Sequence, residues 1–354
     1  MEVLAINAGS STVKYARFRL DEGETELARG SVDVVDDHGQ TVRALLAQLP
    51  ARPDAVGHRL VHGGHAYTQP VRVDDRVRGE LGELVALAPL HVPSELAAMD
   101  AVRAALPDVP QVACFDTAFH RTMPEVARRY ALPSELSDAG IERYGFHGLS
   151  YDYVASTLTT AQLSRAIIAH LGNGASVVAL RDGRSVDTTM GFSPTGGIVM
   201  GTRPGDLDPG LIVHLLAHGY DRTRLERLFD RDAGLAALSG GTSDMRALLA
   251  RRGHDVRAAL AIDVFCYAAK KAIGAFAAVL GGVDTLVFTG GIGEHAADVR
   301  AQICEGLAYL GIAIDPMRNA AHAAAIGSGP CDVRVVATNE ELVIARAAAR
   351  LVGG

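Results

Sequence analysis

Arg59 stands inside the apolar run Val56-Gly57-His58-Arg59-Leu60-Val61. An unpaired guanidinium would be costly there, so it must meet an anion, either a structural carboxylate or a substrate. Arg203 lies in "MGTRPGDLDPG", a loop crowded with turn formers, where Asp206 and Asp208 offer a plain surface ion pair as the other reading. His147 sits in "YGFHGLS" beside glycines and an aromatic, a better setting for chemistry than that of His91 or His170. Asp116 ends the apolar run of "QVACFDTAFH". Asp244 and Arg246 flank Met245 at the start of a helical pattern, where Ser243 or Asp244 also reads as an N-cap. Cations, an imidazole and carboxylates of this kind suit the handling of anions.

Small-residue loops supply the second clue. The chain opens "VLAINAGSSTVKYARFRL", with a polar knot from Asn7 to Thr12 between two apolar runs. The pattern GxxxxGK[ST] is absent, and a strand rather than a helix follows, so this is no P-loop. Similar loops occur at Gly172–Ser176 and Gly290–Glu294. Glycine lets backbone N–H groups close on phosphate oxygens. Three such loops point to a nucleotide whose phosphates they cradle, with a helix after Gly290 adding a favourable dipole. Lys14 is one of three lysines in an arginine-rich chain, the others being Lys270 and Lys271. A compact ammonium beside the first loop suits a phosphate, and a solvated strand lysine is the alternative.

The elements that position these residues come in pairs. The opening reads as strands Val3–Ile6, Val13–Leu20 and Thr25–Val34, joined by turns. The phrase returns as strands Ala166–His170 and Ser176–Leu180, with a short third strand after Asp182–Gly183. "DAVGHRLVHGGH" matches "DTLVFTGGIGEH", and "QVACFDTAFH" matches "VRVVATNEEL". Helical patterns span Gly79–Leu106, Asp255–Leu280, Ala296–Leu310 and about Glu340–Leu351. Two α/β halves result, with polar groups at strand ends, where open α/β sheets bind ligands. Facing halves would enclose a cleft.

Composition sets the bounds. The chain has 354 residues, 48% hydrophobic and 21% charged, which suits about two globular domains. A net charge of −7 and no basic run argue against a nucleic-acid surface. A signal peptide is not expected, and the most apolar stretch, Ala272–Val283, is too short to span a bilayer, so no membrane partner is expected. Cys114, Cys266, Cys304 and Cys331 form no CxxC pair and read as buried thiols of a reducing compartment, which favours the cytoplasm.

The motifs "NAGSSTVK", "HRLVHGG", "FDTAFH", "YGFHG", "HLGNGAS", "MGTRPGDLDPG", "FTGGIGE" and "TNEELVIA" occur in the order seen in acetate kinases, and the resemblance covers nearly the whole chain. It implies a duplicated actin/hexokinase-like (ribonuclease H-like) two-domain fold with a central nucleotide cleft. The first domain would be residues 1–117, with a C-terminal helix at 341–354 packing back on it, and the second 118–340. The implied activity is reversible phosphoryl transfer between ATP and a short-chain carboxylate. Asn7 and Glu340 would help hold Mg²⁺ (or Mn²⁺). Asp116 would be the active-site carboxylate, Arg59 and Arg203 would flank the phosphoryl group, and His147 would donate to its equatorial oxygens. Arg59, Val61, Leu90, Phe146 and Pro194 would receive the acid. Lys14, the loop His170-Leu171-Gly172-Asn173-Gly174, the trio Asp244-Met245-Arg246 and the loop Gly290-Gly291-Ile292-Gly293-Glu294 would bind ATP or ADP. A homodimer through the second half is also implied.

The acceptor acid, with a pKa of ~4–5 by analogy with Asp and Glu, is already ionised at neutral pH and needs no general base. Departures from the family pattern are Val92 in "PLHVP" for "PLHNP", Leu149 and Tyr151 in "HGLSY" for "HGTSH", "TGG" after Pro194 for "LEG", and a short segment between Asn7 and Arg59. They bear on acid preference, rate and subunit contacts. The competing expectations are a propionate or butyrate kinase, an ATP-driven switch of the actin and Hsp70 type, and a sugar or alcohol kinase using Asp116 as base.

Overall fold

The computed structural model describes residues 1–9, 11–35 and 37–353. Ser10 of the first small-residue loop and Gly354 of the expected C-terminal segment lie outside them. The chain divides into two compact units. The first comprises Met1–Arg121, Phe146–Tyr153 and Asn339–Gly354, the second Thr122–Gly145 and Val154–Thr338.

The first unit is built on strands β1 (Glu2–Ala8), β2 (Thr12–Leu20), β3 (Glu24–Asp33), β4 (Ala55–Leu60), β5 (Val71–Arg72) and β6 (Gln111–Phe115), in the sheet order β3-β2-β1-β4-β6-β5. β1, β2 and β3 pair antiparallel, and β1, β4 and β6 run parallel. The central strands are buried along most of their length and read as near-continuous apolar runs, as parallel strands covered on both faces must. One face carries Leu4, Ile6 and Val56 against Val42 of the helix His38–Ala47 and Ala98 and Val102 of the helix Val92–Ala105. The other carries Val3, Ala5, Phe18 and Val112 against Ile344 and Ala348 of the C-terminal helix Glu340–Gly353. That helix seats at Gly57, where a Cβ would overlap the Ile344 side chain. β3 is the polar, mostly exposed edge.

The second unit repeats the pattern. β7 (Arg165–Leu171), β8 (Ala175–Arg181), β9 (Arg184–Thr188), β10 (Thr285–Thr289) and β11 (Asp332–Val335) form a sheet ordered β11-β10-β7-β8-β9. Each sheet thus has a three-strand antiparallel meander whose first strand is joined, in parallel, by two later strands. This is a duplicated α/β fold. The long helix Val256–Leu280 covers one face, burying Ala258, Ile262, Phe265, Ala269, Ile273 and Phe276 at helical spacing. Asp255 caps its start by accepting from the Arg257 and Ala258 N–H groups, and Gly281 ends it with φ 74°.

Two expected helices differ. The span from Gly79 to Leu106 is two helices, Asp75–Glu83 and Val92–Ala105. Pro89 between them bars continuation, and Pro93 opens the second. The pattern from Ala296 to Leu310 is a helix only over Ala297–Cys304. All four cysteines are free and buried. Among the described residues no helix is long and apolar enough to cross a membrane.

Candidate active site

In the first unit, the parallel register brings the carboxyl ends of β1, β4 and β6 level, with Ile6 opposite His58 and Arg59 opposite Cys114. Asn7 near the end of β1, Arg59 on β4, Asp116 just past β6 and Glu340 at the start of the C-terminal helix meet there. The Arg59 Nε lies 3.2 and 3.1 Å from the two Asp116 carboxylate oxygens, and Nη2 lies 2.6 Å from Oδ2. The third Arg59 nitrogen, Nη1, donates to the Asn7 Oδ1 at 3.0 Å, and Asn7 Nδ2 donates to Glu340 Oε2 at 3.1 Å. The anion that Arg59 requires is therefore Asp116, which is 1% exposed. Burial alone would strip charge from Arg59. The Asp116 and Glu340 carboxylates more than offset that and raise its pKa further. Burial pushes Glu340 up to about 7, against the pull of Arg59 and Lys14 and with the push of Asp116 and Glu341. Lys14 pairs in register with Asn7 on β2, an interior strand, and its side chain is exposed.

His147 also lies in this unit, half-buried, in the left-handed region at φ 60°. A non-glycine residue rarely adopts that conformation without surrounding constraint. The constraints are visible. Gly148 rests against the Asp116 main chain so closely that a Cβ would overlap the carbonyl oxygen. On the other side, the His120 Nε2 bonds the Phe146 carbonyl at 2.9 Å. Burial lowers the His120 pKa to about 4, so the ring stays neutral. Val61 and Phe146 are buried and Leu90 is exposed. The sequence reading missed His120 and also Glu95, a buried carboxyl whose Oε1 accepts from the Val61 N–H at 3.0 Å. The departures Val92, Leu149 and Tyr151 are all core residues: Val92 packs with Leu60 and Met99, Leu149 with Ile344 and its neighbours, Tyr151 with His120 and Phe119.

The second unit holds the remaining candidates. His170 and Leu171 end β7, and Gly172 to Gly174 make the turn into β8, closed by Gly172 N–H to Gly174 O at 3.0 Å. Gly201 N–H bonds the Asn173 carbonyl at 2.9 Å, and a Cβ on Gly201 would overlap the Asn173 amide. This ties the loop of Arg203 to the β7–β8 turn. Arg203 is half-buried and its Nη1 bonds the Pro194 carbonyl at 3.2 Å. Asp206 accepts from the Gly197 N–H and Asp208 caps the helix Pro209–Ala217, so both serve local structure. Gly290, at φ 77°, lies against the Leu171 main chain with no room for a Cβ. Gly290 to Glu294 form the body of a short helix ending at His295, in which Gly291 is exposed, Ile292 half-buried and Gly293 buried. Glu294 Oε1 accepts from Gly290 and Thr338 N–H, and Arg300 Nη1 donates to the Gly293 and Glu294 carbonyls at 2.8 and 2.9 Å. Asp244 is the N-cap of Met245–Arg251, with Asp244 and Arg246 exposed and Met245 in the core.

Residues 40–346 match the model of the acetokinase family. The chain belongs to the acetokinase family. An acetate kinase of Nitrobacter hamburgensis is 42% identical over 97% of this chain and 94% of its own length. One from Thermosynechococcus vestitus is 47% identical over 88% of this chain and 77% of its own. Among acetokinase structures, Porphyromonas gingivalis acetate kinase superposes with a TM-score of 0.89 at 35% identity, and a Francisella tularensis propionate kinase with 0.93 at 34%, each covering 99% of both chains.

Proposed function

We propose that this chain transfers the terminal phosphoryl group of ATP to acetate, giving acetyl phosphate and ADP, and also runs the reverse reaction. The observation that carries the reading is the Asn7–Arg59–Asp116–Glu340 network at the strand ends of a chain of this family. A carboxylate oxygen of the acid forms the new P–O bond while the bond from phosphorus to the ADP oxygen breaks. The acid arrives ionised, so no residue need act as base. Two anions must instead be brought together, and Arg59 and Arg203 would supply fixed cations for the oxygens that gather charge. His147 donates to the same oxygens from a backbone held by Gly148 and His120. Asp116 orients Arg59 and ordered water.

The donor set fits Mg²⁺ or Mn²⁺. Asn7, Asp116 and Glu340 offer hard oxygen atoms, and such ions keep several waters beside one or two carboxylates. Bound there with ATP, the ion would neutralise phosphate charge. Lys14, the 170–174 and 290–294 loops and Asp244 to Arg246 would bind the nucleotide. Pro194, Val61, Leu90 and Phe146 would receive the acid's methyl group. The four free buried thiols suit the cytoplasm. A homodimer is supported by the helix Pro209–Ala217, which exposes Leu211, Ile212, Val213 and Leu216 on one short segment.

The test is a hydroxylamine trap with Mg-ATP and acetate, propionate, butyrate or no acid. Acid-dependent hydroxamate, greatest with acetate, is expected. Greatest yield with propionate would favour the activity named for the Francisella tularensis relative. ATP loss without hydroxamate would refute carboxylate phosphorylation.

A further inference from the structure

Glu95 is 2% exposed, on the helix whose Val92, Leu96 and Met99 pack with Leu60 and Phe115. Other buried carboxylates of this unit hold an arginine, Asp116 with Arg59 and Glu341 with Arg29. Among the described residues Glu95 holds none, although Arg59 is near enough to act on it electrostatically, because the Arg59 nitrogens bond Asp116 and Asn7. Its Oε1 accepts from the Val61 N–H at 3.0 Å, and its Oε2 is buried without a hydrogen-bond partner among the described residues. Burial pushes the carboxyl up to about 8 despite the pull of Arg59 and the Val61 N–H, so at neutral pH it carries its proton. A neutral acid keeps a carbonyl-type oxygen, which is all the Val61 amide requires.

The position of that bond is informative. β4 ends at Leu60, so Val61 is the first residue after the strand. Glu95 sits in the first turn of the helix Val92–Ala105. Its own N–H bonds the His91 carbonyl at 3.2 Å, the Ser94 hydroxyl bonds the same carbonyl at 2.7 Å, and the His91 and Val92 N–H groups both bond Ala88 O. Leu90 lies within that turn and is exposed. One side chain therefore ties the main chain at Val61 to the turn that presents Leu90.

We propose that Glu95 is a positioning residue that sets which acid length is accepted, by fixing the Val61 main chain to the turn that carries Leu90. The inference rests on the reading that Val61 and Leu90 line the site of the acid's alkyl group. Glutamine would keep both the acceptor and the neutrality. Alanine would remove the tie, and aspartate would shorten its arm by one methylene.

The experiment compares the full-length wild type with Glu95→Gln, Glu95→Asp and Glu95→Ala, each checked for folding by circular dichroism. The hydroxamate assay gives kcat/KM for acetate and propionate and KM for ATP. Glu95→Ala and Glu95→Asp are expected to raise the propionate-to-acetate ratio about tenfold, while KM for ATP stays within about twofold and Glu95→Gln keeps the wild-type ratio. If Glu95→Ala does not fold, Glu95→Asp decides alone. A wild-type ratio in the folded Ala or Asp variant overturns the proposal, and so does a Gln variant that shifts as far as they do. Wild type making no acid-dependent hydroxamate overturns the kinase reading itself, and shows before any substitution is compared.

Discussion

Truncating Arg59 to alanine will cost stability as well as turnover. Asp116 keeps only 1% of its side chain exposed, against 18% for Arg59, so the carboxylate stays buried when its cation is removed. Breaking a buried pair from one side costs about 3–5 kcal/mol. The Asn7 Oδ1 also loses its donor, about 1 kcal/mol more. With a urea dependence of about 3 kcal/mol per molar, the midpoint of the first unit should fall by about 1–2 M. The chain has no tryptophan, so far-UV circular dichroism is the direct assay. The double variant Arg59→Met, Asp116→Leu removes both charges and should recover most of the lost midpoint, because apolar replacement of a buried pair is often neutral. It should recover none of the turnover, which Arg59→Ala lowers by about a thousandfold through loss of a fixed cation. A folded Arg59→Ala protein with an unchanged urea midpoint would refute the account of Asp116 as a carboxylate dependent on Arg59.

Three further outcomes are expected. Gly148→Ala pushes a Cβ into the Asp116 carbonyl, so kcat should drop at least about tenfold with a lowered Tm; normal kinetics would remove the His147 loop from the mechanism. Stability of the first unit depends on pH from both sides. Burial depresses His58 to about 4, so between its ordinary value of 6.5 and 4 the unfolded chain binds the proton and the folded one does not, and stability falls as pH falls through that window. Glu95, raised from 4.5 to about 8, acts oppositely: its folded form holds the proton, so stability falls as pH rises from about 4.5 to 8. The Tm of Glu95→Gln relative to wild type should therefore grow between pH 5 and pH 8, and a constant difference would count against a protonated Glu95. Arg300→Met should destabilise the second unit by about 3 kcal/mol or more and speed hydrogen exchange at 290–295, because the Gly293, Glu294 and Asn319 carbonyls lose a common donor. Unchanged exchange there would show the loop to be self-supporting.

Local pattern revealed what depends on local pattern. The repeated hairpins were legible because alternation and turn residues mark them, and their partners β4 with β10 and β6 with β11 because the same phrases recur. The helix from Gly79 to Leu106 was over-read because apolar spacing continues across the 3-10 turn Leu84–Ala86 and Pro89, which separate the two helices. Arg59 was legible as a cation needing an anion, but Asp116 lies 57 residues away and nothing local pairs them. Asn7 and Glu340 were legible as polar groups at strand ends, but at a separation of 333 residues their meeting was not, and their shared role entered only through the family resemblance. Glu95 was invisible because a glutamate in a first helical turn ordinarily faces water and favours the dipole. Its burial is decided by where β4 ends, and that is a tertiary fact. The Arg300 side chain likewise reads as an ordinary helix surface residue, yet it is buried among carbonyls.

The seat of the C-terminal helix at Gly57 has a consequence for biosynthesis. The first unit is assembled from segments on both sides of most of the second, Met1–Arg121 ahead of it and Asn339–Gly354 after it. At about 5–20 residues per second, the more than two hundred residues between Asp116 and Asn339 take roughly 10–45 s to appear. Throughout that interval the sheet face made by Val3, Ala5, Phe18 and Val112 lacks the C-terminal helix, which supplies most of its cover. The nascent first unit must therefore wait, with an apolar surface exposed, while the second unit can close on itself once residue 338 emerges. Chaperone dependence during synthesis should accordingly fall on the segment that is made first.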